Sequence, residues 1–116
     1  MARVENASRL VEKLKYRAKG AGRAFAVNVG YSAPYAVFVH ENLAMPHANG
    51  QAKFLEQPAR AMRAQMVTNV KRWMTQGKTQ EEAMAIEGLR LMRASQALVP
   101  VRTGFLKNSA FSVVRR

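Results

Sequence analysis

Cysteine is absent from the 116 residues. That excludes disulfides and thiolate-held metals, and it fits a reducing compartment. No apolar run reaches about 18 residues, so no membrane-spanning helix is expected. The stretch from Met1 to Lys15 intersperses charge with apolar residues and lacks the apolar centre of a secretory signal. Asn6-Ala7-Ser8 matches a glycosylation sequon, and without such a signal it is read as chance. Acidic residues are scarce, 7 against 19 Lys and Arg, for a formal charge of +12. A charge of that size on a short chain implies an anionic neighbour, either nucleic acid or an acidic protein surface. The plainer alternative is a solvated basic surface that aids solubility. Both ends are basic, yet no block of five or six like charges occurs, so an unfolded nucleic-acid arm is not expected.

What is present suits one compact domain. The chain is 48% hydrophobic, enough for a core, and no repeat or low-complexity linker divides it. Val4, Ala7, Val11, Leu14 and Ala18 recur at helical spacing, which predicts an N-terminal helix over 4–18, ended by Gly20 and Gly22. Phe25, Val27, Val29 and Tyr31 alternate with smaller or polar residues, as a half-buried strand does. Ser32-Ala33-Pro34 offers a turn, and Tyr35, Val37 and Val39 resume the alternation, so 24–40 reads as an antiparallel hairpin. A polar loop over 41–53 follows, long for so small a domain. Met62, Met66, Val70, Trp73 and Met74 predict a helix from 56 to 75, with Pro58 in its first turn and Gly77 after its end. Thr79 and Glu82 form a capping box that opens a second long helix with Ala85, Ile86, Leu89 and Met92 on its apolar face and Pro100 as its stop. Thr103 is placed to cap a short turn over 104–108, and Phe111 and Val113 alternate on a last strand. The expected fold is α+β: a small antiparallel sheet, made of a hairpin and a C-terminal strand, packed against two long helices and the N-terminal helix.

The residues give little support to catalysis. His40-Glu41 invites a metalloprotease reading, but that zinc motif needs a second His four residues on, where Ala44 stands. His47 lies in the loop, and a hydrogen-bonded His40 beside a surface Glu41 is the simpler reading. There is no nucleophile elbow and no phosphate-binding glycine loop; Gly20 and Gly22 come before a strand, the wrong order for a dinucleotide site. Trp73 and the regularly spaced methionines read as core and not as a cofactor pocket. No enzyme activity, metal or cofactor is expected. Nor is there a recognition helix, a zinc finger or a pair of stacking aromatics, so any nucleic-acid contact would be to the backbone.

Three segments resemble a known family. Gly30-Tyr31-Ser32-Ala33-Pro34-Tyr35-Ala36-Val37-Phe38-Val39-His40-Glu41 is similar to its central hairpin signature. Gly50-Gln51-Ala52-Lys53-Phe54-Leu55-Glu56-Gln57-Pro58-Ala59 is similar to its loop-to-helix segment. Val99-Pro100-Val101-Arg102-Thr103-Gly104-Phe105-Leu106-Lys107-Asn108-Ser109 is similar to its Pro-Val-Asp-Thr-Gly-x-Leu-x-x-Ser segment. The family is that of the small tail-completion or neck proteins of long-tailed bacteriophages. Arg102 stands where that family usually has an acid, and the third segment follows the hairpin here, whereas in most relatives it precedes it.

The resemblance implies a structural subunit of the virion neck or tail, assembled in the host cytoplasm. It implies a ring, commonly sixfold, around the DNA channel between the portal, adaptor or head-completion proteins and the tail terminator or tail tube. No catalytic residue comes with it. On this reading Tyr35, His40, Glu41, Asn42, His47, Lys53, Phe54, Arg102, Thr103 and Gly104 are candidates for the subunit or partner interface. Arg3, Lys15, Lys19, Arg23, Lys107, Arg115 and Arg116 are candidates to face DNA or an acidic partner. The alternative is a basic module that contacts the nucleic-acid backbone.

Overall fold

The computed structural model describes residues 3–5, 9–17, 24–41, 53–100 and 104–115. Strands β1 (Arg3–Glu5), β2 (Arg9–Tyr16) and β3 (Phe25–Tyr31) come first. Helices α1 (Ala36–Glu41), α2 (Glu56–Thr75), α3 (Gln80–Gln96) and α4 (Phe105–Asn108) follow, and β4 (Ala110–Arg115) closes the chain. The sheet is antiparallel throughout, in the order β1-β2-β3-β4, with the C-terminal strand laid beside β3. The class is α+β.

Two expectations are corrected. No N-terminal helix spans 4–18: β1 and β2 occupy that stretch. On β2, Leu10, Leu14 and Tyr16 share one face, while the other holds the exposed Lys13 and Lys15 together with the buried Val11. Glu12 breaks this alternation, because a carboxylate stands at an inward position, 4% exposed, with Arg63 of α2 3.4 Å away. That inward charge hides the strand period and leaves helical spacing as the stronger pattern. The second correction concerns 35–40, which is α1 and not a hairpin strand. β3 already pairs with β2 on one edge and β4 on the other, so no third strand has hydrogen bonds to make with it. Ala33, Ala36 and His40, at steps of three and four, are buried, as one helical face requires.

The long helices stand close to where the sequence places them. Thr79 accepts the Glu82 amide at 3.1 Å and Glu82 accepts the Thr79 amide at 2.9 Å, the reciprocal capping box. Gly77, at φ +98°, ends α2; its amide reaches the Met74 carbonyl and that of Lys78 the Trp73 carbonyl, which closes a Schellman motif. The face of α3 is a third correction. Ala83, Met84, Glu87, Gly88, Leu91 and Ser95 point inward, while Ala85 is exposed and Leu89 is 42% exposed. The inward face holds small and polar residues, so its hydropathy understates its burial. Gly88 lies against Val27 and Ser112 so closely that a Cβ there would come within 2.3 Å of Val27 Cγ2. Leu10, Leu14, Val27, Val29 and Tyr31 of the sheet, Met66 and Val70 of α2, and Met84 and Leu91 of α3 form the core.

Candidate functional site

The three segments that carry the family resemblance are far apart in sequence and converge on one corner. At its floor Phe54, fully buried, is met edge-on by two rings: Tyr31 at 5.1 Å and His40 at 5.0 Å between centroids. The Tyr31 hydroxyl pairs with Ser95 Oγ of α3 at 2.6 Å, and burial pushes its pKa up to about 12, with the Ser95 bond pulling the other way. The third segment joins from the opposite side. Ser32 donates its amide to the Ser109 carbonyl at 3.0 Å, which ties the end of β3 to the end of α4. Gln96 of α3 donates its side-chain amide to the Lys107 carbonyl at 3.0 Å. Leu106 is buried beneath, and Gly104, at φ +83°, provides the left-handed entry into α4.

His40 organises the wall of this corner. Its Nε2 accepts the backbone N–H of Glu56 at 3.2 Å, so the imidazole of one helix caps the first residue of another. The N-cap position of α2 is Leu55, which has no oxygen for the task. An accepting Nε2 fixes the tautomer: Nδ1 carries the proton and donates to Glu41 Oε2 at 2.5 Å. Burial holds His40 below the usual imidazole range, against the pull of Glu41, and favours this neutral form. Lys53 Nζ contacts Glu41 Oε1 and lies 3.8 Å from Glu56 Oε1, while Arg60 meets Glu56 Oε2 at 2.9 Å. Its bond to Lys53, with help from His40, keeps the Glu41 carboxyl below its usual range. The Lys53 amide also reaches the His40 carbonyl at 2.8 Å, from a left-handed backbone at φ +57°. Residues 40–41 and 53–56 are thus clamped together at the two ends of the 42–52 segment. Both imidazole nitrogens are engaged in this clamp.

Of the expected interface residues, the structure brings Tyr35, His40, Glu41, Lys53, Phe54 and Gly104 to this corner. His40 and Phe54 are buried and shape it from within. Tyr35 (40% exposed) and Phe105 (57% exposed) stand at its surface with ring centres 6.0 Å apart. Phe105 was missed by sequence reasoning, since Leu106 beside it already accounts for an apolar anchor. Glu56 and Arg60 were also missed, as nothing in their spacing announces a tertiary cap. Asn42, His47, Arg102 and Thr103 lie outside the described residues, as do Lys19, Arg23 and Arg116. Lys107 is exposed on α4, whereas Arg3, Lys15 and Arg115 belong to the sheet. Among the described residues no three His, Cys, Asp or Glu side chains gather as metal ligands, and no helix is long and apolar enough to cross a membrane. No family model, curated protein or solved structure matches the chain.

Proposed function

We propose that the chain is a structural subunit of a tailed-bacteriophage particle. It forms a ring at the neck or tail-completion level, between the portal-side assembly and the tail, and performs no catalysis. The observation that carries this reading is the convergence just described. Residues 30–41, 53–59 and 104–109 hold the family-like motifs, and they meet at one corner through Ser32–Ser109, Lys53–His40 and Tyr35–Phe105 contacts. A shared structural task explains why motifs so separated in sequence belong together. The corner ends in two exposed aromatic rings over a rigid, hydrogen-bonded base. Exposed aromatics on a preorganised base are the usual anchors of protein interfaces.

In this proposal Tyr35 and Phe105 insert into the neighbouring subunit, and the His40 clamp holds residues 40–41 against 53–56 beneath them. A ring follows when one patch meets a different patch on the next copy and the rotation closes. Light scattering coupled to size-exclusion chromatography tests it. The expected result is a closed oligomer, formed alone or on mixing with portal-side or tail components. A chain that stays monomeric in every such mixture contradicts the proposal.

A further inference from the structure

The sheet has a second face, opposite the helices. Pleating puts Val27, Val29 and Ser112 toward α3, so their strand neighbours form the other side. Three cross-strand rows run across it: Val11, Gly30 and Phe111; then Lys13, Asn28 and Val113; then Lys15, Ala26 and Arg115. The Phe111 ring lies over Gly30, and Val11, Gly30 and Ala26 are buried, whereas Lys13, Lys15, Val113 and Arg115 are exposed. The helical layer is also basic, but three of its arginines are answered by acids: Arg60 by Glu56, Arg63 by Glu12 and Arg90 by Glu87. Lys13, Lys15 and Arg115 stand exposed on the far side of the sheet, where none of the acids that answer those arginines lies.

We propose that the exposed basic part of this sheet face binds the phosphodiester backbone of DNA, through Lys13, Lys15 and Arg115 and without reading bases. Lys13 and Lys15 stand about 7 Å apart along β2, and Arg115 lies two strands across from Lys15, about 10 Å away. Such a spread of exposed cations matches a run of phosphates better than a single carboxylate. The inference stands apart from the ring reading, because a monomer with this face would bind DNA equally well.

Fluorescence anisotropy with labelled duplex and single-stranded oligonucleotides, in low salt and then across a salt series, tests it. The wild-type chain is expected to bind both, with affinity falling steeply as salt rises. Changing Lys13→Glu, Lys15→Glu and Arg115→Glu together should weaken binding at least about tenfold and flatten the salt slope by about 0.9 per lost contact on duplex. Lys71→Glu, Lys78→Glu and Arg93→Glu, the same charge change on the helical layer, should cost less than about threefold. A Gln version of the sheet triple, with its melting curve measured, separates lost contacts from lost folding. Equal losses from the two triples would overturn the proposal, since net charge alone would then explain binding. So would a wild-type chain that ignores DNA at low salt, which would hand the face to an acidic protein. So would a preference above about tenfold for one base sequence.

Discussion

At neutral pH the imidazole of His40 must be uncharged to accept the Glu56 amide, and this gives the corner a pH dependence of known sign. Folding favours neutral His40, so its contribution is complete above the ordinary value of 6.5 and is lost as pH falls from there through the lowered folded value. Glu41, also held below its ordinary value, adds a loss of the same sign at lower pH. Burial raises the pKa of Glu12, which acts oppositely. Melting temperature is therefore expected to drop as pH falls below the ordinary imidazole value of 6.5. His40→Gln, which keeps an acceptor for Glu56 and removes the titration, should flatten that drop. An identical pH profile in both chains would show that the tautomer assigned here is wrong. His40→Ala should cost about 2–4 kcal/mol in denaturant unfolding, from a cavity against Phe54 and an uncapped amide.

Glu87 poses a similar question inside the helical layer. It is wholly buried, yet it accepts from Asn69 at 3.0 Å and Trp73 Nε1 at 2.9 Å, with Arg90 Nε 3.6 Å away. These bonds lock α2 to α3. Glu87→Ala leaves two donors without partners and is expected to cost about 3 kcal/mol. Tryptophan fluorescence provides the readout, since Trp73 is the sole tryptophan. A loss under about 1 kcal/mol would mean that water replaces the carboxylate freely.

Among the elements, α2 and α3 were legible in the sequence because their signals are local: a capping box, a glycine stop and one apolar period. The strands were less so. β2 hides behind Glu12, a charge that Arg63, 51 residues away, helps to hold inside. The helix at 36–41 shows a strand-like alternation, and what overrides it is the pairing of β3 on both edges, a tertiary fact. The inward face of α3 was misjudged for the same kind of reason. Gly88, Ser95 and Glu87 are buried through partners that no helical wheel contains. Gly88→Ala tests this packing. Glycine to alanine within a helix ordinarily stabilises by about 1 kcal/mol. Here the new methyl group meets Val27 and Ser112, and a net loss of about 1–3 kcal/mol is expected by thermal or urea unfolding. A stabilised variant would show that α3 stands farther from the sheet than described.

For the whole molecule, the motif-bearing segments were legible as a set, but their meeting place was not. Sequence spacing put Tyr35 on a strand, whereas α1 turns it toward Phe105. The family resemblance offered His40 and Phe54 as interface candidates, and they are the buried support of that surface. Lys15 and Arg115, 100 positions apart, share one cross-strand row on the open sheet face, which composition alone placed only as two basic ends. The resulting molecule has a helical layer, a corner with exposed rings, and a basic sheet face turned away from the helices.

The central claim is that the corner joins copies of this chain. Its most direct test is the mass, by light scattering, of the wild-type chain and of a Tyr35→Glu, Phe105→Glu variant, each alone and with portal-side or tail components. The account predicts a closed oligomer for the wild type and a folded monomer for the variant, with an unchanged circular dichroism spectrum. A variant that assembles as the wild type does, or a wild type that never assembles, contradicts it.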